Sequence, residues 1–224
     1  SPVILLAKKG IFTTYKKRNK IIDPKFKNLL SREKAISLII STLPENSIFI
    51  SSTGYISREL YELREMLNLK HHTDFLTVGS MGHASQIALG IALLKKNIPI
   101  VCLDGDGSMI MHMGGLVTNG QYGTKNFFHI LLNNSVHDSV GGQPTSGFEI
   151  SPTEIAKGCK YKNIFGPSLS ESDIKNDLKK MIKSCGPCFL EIRIKPGARE
   201  NLGRPKESLN ESKALFKINL DRMK

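Results

Sequence analysis

An α/β fold, with a mainly parallel six-stranded sheet flanked by helices, is what this sequence predicts, and three observations carry the prediction. Two short apolar runs, residues 98–103 and 127–132, read as strands buried on both faces. Between them, residues 108–122 place Met109, Met113, Leu116 and Val117 at helical spacing, a stretch long enough to cross over between parallel strands. Each apolar run also stops at turn-forming polar residues, Gly105-Asp106-Gly107 after the first and Asn133-Asn134 after the second. An acid and an amide are thereby delivered to one edge of the sheet, the edge at which open α/β sheets take their ligands.

The remaining elements follow in order. Residues 3–7 read as a strand and 8–28 as a basic connector without periodicity. Ser31 is placed to cap a helix running to residue 43, with Ala35, Ile36, Ile39, Ile40 and Leu43 on one face, and the domain proper starts there. A strand over 47–52 ends in Ser51-Ser52-Thr53-Gly54-Tyr55, a small polar turn before a helix over 57–67. Hydroxyl and N–H groups at such a turn either hold a phosphate or an aminopyrimidine or simply cap the helix. Residues 74–78 form a strand that leads into Gly79-Ser80-Met81-Gly82-His83 and a small-residue helix over 84–94, where Gly90 and the alanines permit close packing. Beyond Asn134, the polar loop from His137 through Gln143 to Thr145 is positioned to cover the edge. Ser151-Pro152-Thr153-Glu154 starts a short helix to residue 158, residues 161–165 form a strand, and Ser170 caps a helix carrying Ile174, Leu178, Met181 and Ile182. A strand over 189–194 completes the sheet, and the tail over 195–205 shows no period and carries Arg199 and Arg204.

At 224 residues the chain can bury a proper core, and no apolar run is long enough to span a bilayer. The opening residues have their basic side chains on the wrong side of the apolar run for a signal peptide. Four cysteines do not make a disulfide framework in a chain of this length, which points to a reducing cytoplasm. Cys185-Gly-Pro-Cys188 spells a redox motif in reversed context, after a helix and before a strand, and reads as a helix stop. The net charge is +12, and the first 34 residues hold ten Lys or Arg against Asp23 and Glu33. These cations lack interleaved aromatics and fall in no nucleic-acid reader motif, so a solvated surface or an acidic partner domain is the better reading.

The chemistry centres on the two strand tips. Asp106 offers a carboxylate oxygen, Asn134 an amide oxygen, and the chain near Val136 a free backbone carbonyl. Such an all-oxygen set suits Mg²⁺, which keeps part of its shell for phosphate and water. Gly105 and Gly107 let backbone approach a ligand, and a helix starting at Ser108 turns its free N–H groups toward a bound phosphate. Magnesium plus a diphosphate is the ligand these residues describe.

A Gly-Asp-Gly followed some 25 residues later by Asn-Asn resembles the cofactor signature of the thiamine diphosphate enzymes. The segments STGYISREL, DFLTVGSMGHASQIALGIAL, LDGDGSMIMHMGGL, LLNNSVHDSVGGQPT and the LGRP tail are similar, over nearly the whole chain, to the phosphonopyruvate decarboxylase family, with sulfopyruvate decarboxylases close by. The LGRP tail is more like the phosphonate branch.

The resemblance implies a thiamin diphosphate-binding fold, thiamine diphosphate and Mg²⁺ as cofactors, and non-oxidative decarboxylation of a small anionic 2-oxo acid. It also implies a cofactor site built from Ser52, Thr53, Gly54, Tyr55, Gly79, Ser80, Met81, Gly105, Asp106, Gly107, Ser108, Asn134 and Val136, the metal held by Asp106, Asn134 and the Val136 carbonyl. Met81 would bend the cofactor and the Gly79 carbonyl would accept from its amino group; without the resemblance Met81 is a core methionine. His137, His83, Gln143 and Arg204 are candidates to orient substrate, His137 being otherwise a solvent-facing loop residue. Members of the family carry an N-terminal pyrimidine-binding domain, in the same polypeptide or a separate subunit, and act as oligomers with sites between subunits. The expected division is therefore 1–30 as the end of that domain and a linker, 31–195 as the diphosphate-binding domain and 196–224 as a C-terminal arm. Catalysis then needs the pyrimidine-binding part. A non-catalytic regulatory module that keeps the fold is the alternative from another class.

Overall fold

The computed structural model describes residues 2–8, 10–12 and 26–223. Six strands, β1 (Ile48–Ser51), β2 (Asp74–Leu76), β3 (Ile100–Gly105), β4 (Phe127–Asn133), β7 (Asn163–Ser168) and β8 (Cys188–Arg193), form one sheet in the order β2-β1-β3-β4-β8-β7. Every neighbouring pair is parallel. A two-stranded antiparallel hairpin, β5 (Val136–His137) with β6 (Gln143–Pro144), stands beyond the tip of β4.

Parallel strands need helical crossovers, and these cover both faces of the sheet. On one face α1 (Arg32–Thr42), α2 (Tyr55–Met66) and α7 (Glu171–Lys183) bury Ile36, Ile39, Leu60, Ile174, Leu178 and Met181 against Val101, Leu103, Ile130 and Leu190. On the other, α3 (Ala84–Leu94), α4 (Asp106–Met111), α5 (Gly115–Tyr122), α6 (Pro152–Gly158) and α8 (Leu209–Arg222) enclose Ile48, Ile100, Cys102, Phe127, Leu131 and Phe189. All seven residues of β4 are buried, as a strand covered from both sides must be. Each such large apolar side chain contributes roughly 1.5–3 kcal/mol through its removal from water.

The order of the strands fixes where a ligand can sit. From β1 the chain steps outward to β2 through α2, then returns to β3 on the other side of β1, so connections leave β1 and β3 in opposite directions. The carboxyl ends of these two strands flank a crevice of the kind in which open α/β sheets bind ligands. The β3–β4 register pairs Gly105 with Leu132, which brings Asp106 and the Asn133-Asn134 pair out of the sheet side by side.

Several expectations need correction. Residues 3–7 form no strand; Val3, Ile4, Leu5 and Leu6 are exposed and find no neighbour to pair with among the described residues. Most of the connector expected over 8–28 lies outside the described residues. The single crossover helix over 108–122 is two helices: α4 starts at Asp106, and α5 starts after a break at residues 112–114. Gly114 and Gly115 weaken a helix there, and Gln86 of α3 donates to the Gly115 carbonyl at 3.0 Å and to Asn119 Oδ1 at 2.9 Å in place of a continuous ladder. Tyr55 belongs to α2, which is capped by Gly54, and is not part of a turn before it. The strand at 161–165 is displaced to Asn163–Ser168. The loop after Asn134 is structured by the β5–β6 hairpin and a 3-10 turn, Asp138–Val140.

Beyond residue 205 the sequence reading named no element, yet Ser208 and Glu211 form a reciprocal capping box that opens α8. Phe216 of α8 meets Phe75 on the edge strand β2 at 5.3 Å between ring centroids. The arm is therefore packed rather than free. Cys185 follows α7 and is exposed, Cys188 opens β8 and is buried, and both are free thiols, as the helix-stop reading expects. Burial, then the neighbouring Cys185, pushes the Cys188 thiol up to about 12, the reverse of an activated redox cysteine.

Candidate active site

Three loops meet at the crevice, and hydroxyl groups fasten them together. Ser108, in the first turn of α4, accepts from Ser52 Oγ at 2.9 Å and from the Gly82 amide at 3.0 Å. The chain after β1, the loop before α3 and the start of α4 are thus tied at one oxygen. Ser57 adds a second fastening by donating to the Ser52 carbonyl at 2.8 Å. Gly82 sits at φ +90°, and a Cβ there would lie 2.5 Å from the His112 ring, so both its backbone geometry and its neighbours call for glycine.

Asp106 is buried at the N-terminal end of α4, whose cap residue Gly105 supplies no side-chain hydrogen bond. Its Oδ1 accepts from the backbone N–H of Asn134 at 3.3 Å, and its Oδ2 accepts from the Thr145 hydroxyl. Burial holds the Asp106 carboxyl above the usual Asp range, while the bonds from Thr145 and Asn134 act to lower it. A carboxylate in this position gains from a cation brought close to it.

Asn134 and Val136 complete the donor set. The Asn134 amide group donates to Asp138 Oδ2 at 2.7 Å, and its Oδ1 accepts from the Val136 amide at 3.2 Å. In the hairpin the carbonyls of Ser135 and His137 accept from Thr145 and Gly142 at 2.9 Å each. Alternation along the strand turns the carbonyl between them, that of Val136, away from β6, and Val136 faces Pro144, which has no N–H to offer. Asp106, Asn134 and Val136 all line one cleft together with Ser52, Thr53, Tyr55, Met81, Gly105, Gly107, Ser108 and His137. Oxygen donors of three kinds, one of them anionic and buried, fit a hard divalent cation such as Mg²⁺.

His137 packs over Gly107, where a Cβ would stand 2.5 Å from its Nδ1; its ring is in the cleft and not out in solvent. Asn133, the first of the amide pair, has another task. It donates to the Gly147 carbonyl at 2.7 Å and to buried Glu191 at 2.9 Å, and so fixes the hairpin's return to the sheet.

Six expected site residues stand outside the cleft lining. Gly54 is the cap of α2, with Ser139 beside it. Gly79 and Ser80 turn the chain with positive φ of 74° and 47°; the Gly79 amide donates to Thr53 Oγ1 at 3.3 Å. His83 is exposed and its ring lies against His112, 4.1 Å between centroids. Gln143 is exposed on β6, with its amide turned toward Gly141. Arg204 is exposed because the tail is held against α2 from outside: Gly203 donates to Glu62 at 2.6 Å, and Arg58 binds the Leu202 and Gly203 carbonyls.

The sequence reading missed a buried ionic network. Arg32, only 4 % exposed, donates to both oxygens of Glu59 at 2.9 and 3.1 Å and to Asp138 Oδ2 at 3.1 Å. Its guanidinium lies 5.3 Å from the centroid of the Tyr55 ring, and both Arg32 and Asp138 line the cleft. Burial raises the Glu59 carboxyl, with Arg32 opposing. Two signals pointed here. Arg32 is a cation in the first turn of a helix, where the macrodipole disfavours it, and Glu59 shares the apolar face of Ile56, Leu60 and Leu63.

Comparison with known proteins agrees with this geometry. The family model described as thiamine pyrophosphate enzyme, C-terminal TPP binding domain, matches residues 52–192. Phosphonopyruvate decarboxylase of Streptomyces viridochromogenes is 36 % identical over 176 residues, 79 % of this chain and 43 % of that protein. Sulfopyruvate decarboxylase subunit beta of Methanocaldococcus jannaschii is 37 % identical over 146 residues, 64 % of this chain and 74 % of that subunit. The solved structure of a thiamine diphosphate-dependent 4-hydroxybenzoylformate decarboxylase from Rhodococcus jostii RHA1 shares the fold, with a TM-score of 0.58 at 15 % identity over 83 % of this chain and 36 % of that one. The chain spans under half the length of the phosphonopyruvate decarboxylases it matches. No helix among the described residues is long and apolar enough to cross a membrane.

Proposed function

Because the chain belongs to the thiamine pyrophosphate enzymes, through their C-terminal TPP binding domain, we propose that it is the diphosphate-binding part of a decarboxylase acting on 3-phosphonopyruvate, releasing CO₂ and phosphonoacetaldehyde. The observation that carries this reading is the convergence of Asp106, Asn134 and Val136 on one cleft at the tips of β3 and β4. These three would hold Mg²⁺ and, through it, the diphosphate of the cofactor. Thiamine diphosphate supplies, when bound, the electron sink that lets a carboxylate leave as CO₂.

The chain's own residues supply the rest. Ser108 holds the three loops in register, Met81 shapes the wall of the cleft, and His137, seated over Gly107, is the residue placed to orient substrate or move a proton. His83, Gln143 and Arg204 are the further candidates to orient substrate, and they stand outside the cleft lining of this chain. Residues 31–195 form the cofactor-binding domain and 196–224 the arm, while 1–30 join it to a pyrimidine-binding unit. The similarity to a protein named as a beta subunit supports a partner unit, on a separate chain or the same one. That similarity also favours one alternative substrate, sulfopyruvate.

The test is a coupled CO₂ assay with the pyrimidine-binding part supplied, using both acids. Turnover of phosphonopyruvate with a higher kcat/KM than sulfopyruvate is expected; the reverse order moves the assignment to the sulfonate. No turnover of either acid, in a complex that binds the cofactor, points to a regulatory module.

A further inference from the structure

Asn134 can serve a cation only with its oxygen, and an amide is free to present either end. Its orientation in this chain is set by Asp138. A carboxylate accepts and never donates, so Asp138 Oδ2 takes the Asn134 amide nitrogen at 2.7 Å and leaves Oδ1 on the side of Val136. Asp138 is in turn immobilised. The same Oδ2 accepts from Arg32 Nη1 at 3.1 Å and from the Gly197 amide at 2.9 Å. Arg32 is itself clamped by Glu59 and donates to the Gly197 carbonyl at 3.1 Å. Donors from three segments, α1, the chain after β4 and the tail, therefore converge on one carboxylate oxygen, and Glu59 of α2 holds the first of them in place.

We infer that Asp138, seated by Arg32, is a positioning residue for the divalent cation: it fixes the Asn134 amide so that its oxygen faces the metal. This rests on the cation site proposed above and adds a residue outside the ligand set to it. Partners of this kind that orient a metal ligand are worth roughly 10- to 100-fold in metal affinity.

The experiment measures Mn²⁺ affinity by electron paramagnetic resonance, in the complete enzyme with thiamine diphosphate. Asp138→Ala is expected to weaken Mn²⁺ binding by roughly 10-fold or more. Asn134→Asp introduced into that variant is expected to restore it, since a carboxylate presents oxygen whichever way it turns. A role confined to holding the fold would not be rescued in this way. Unchanged affinity in Asp138→Ala, or failure of the second substitution to recover it, overturns the inference. Should Asp138→Ala not fold, the cation-loaded wild-type crystal structure decides: Asn134 Nδ2 must lie within about 3.2 Å of Asp138, and an Asn134 nitrogen turned elsewhere refutes the role. Asp106→Ala separates the two readings. If it binds Mn²⁺ as the wild type does, the cation site itself is wrong; if it loses Mn²⁺ while Asp138→Ala keeps it, only the positioning role falls.

Discussion

Asp104 and Asp106 are two residues apart, both 1 % exposed, and they stand in different surroundings. Asp104 lies within β3 and points into the core beneath α3 and α5. Its Oδ1 accepts from the Gly105 amide at 2.9 Å, and Oδ2 lies 3.4 Å from His129 Nε2, too poorly aligned to count as a hydrogen bond. His129 is paired on its other nitrogen with Tyr161 at 2.8 Å and ringed by Phe127 and Phe189. Although Cys102, Asp104 and His129 bring their polar atoms within 4.8 Å of one another, they sit among core side chains and none lines the cleft. Asp106 has left the strand; its partners come from loops, and one side of it faces the cleft. Burial alone does not mark a functional acid. What separates the two is whether the chain has passed the end of the sheet.

The sharpest way to break this contrast is to remove each carboxylate. In the complete enzyme Asp106→Ala is expected to lose on the order of 100-fold or more in divalent-cation affinity, with decarboxylation falling alongside, as Mn²⁺ titration and a CO₂ assay would show. Asp104→Ala is expected to leave cation affinity intact and to lower stability by about 1–3 kcal/mol, because it takes the acceptor from the Gly105 amide and opens a gap beside buried His129; urea unfolding measures this. Equal cation loss in both variants would erase the distinction.

A smaller effect concerns the support of Asp106. Thr145→Val removes the hydroxyl bonded to Oδ2 and is expected to weaken Mn²⁺ binding by about 10-fold, near the lower end for such supporting residues.

The smallest effect is in pH. The folded-state pKa of Asp106 is raised above the usual 3.8, so the folded chain holds this proton to higher pH than the unfolded chain does. The proton count then makes stability fall as pH rises through the interval between the two values. In the cation-free protein Asp106→Asn should therefore be more stable than wild type at neutral pH, with the gain vanishing in acid below the unfolded value. Urea unfolding across pH checks this, and a gain that grows toward acid would contradict it.

Most of what positions the site was legible in the sequence, because periodicity and turn chemistry are local. Two buried apolar runs with polar stops were enough to place Asp106 and Asn134 side by side, and the family resemblance added Met81. What escaped depends on tertiary packing. The crossover read as one helix because Met109, Met113 and Leu116 keep the spacing across a break that Gln86 stabilises from another helix. The tail carrying Arg204 reads in the sequence as a surface arm or as a source of a guanidinium for an anionic substrate, and only the folded chain shows its contacts with Arg58 and Glu62. The Arg32–Glu59–Asp138 network joins residues far apart in the chain, and only a cation in a helix's first turn and an acid on an apolar face hinted at it.

One cation held jointly by the tips of β3 and β4, and carrying the diphosphate, can be tested directly by pulsed electron paramagnetic resonance of Mn²⁺ in the cofactor-loaded complete enzyme. A phosphorus hyperfine coupling on Mn²⁺ is expected in the wild type and should vanish in both Asp106→Ala and Asn134→Ala. A coupling that survives either substitution unchanged contradicts the shared site.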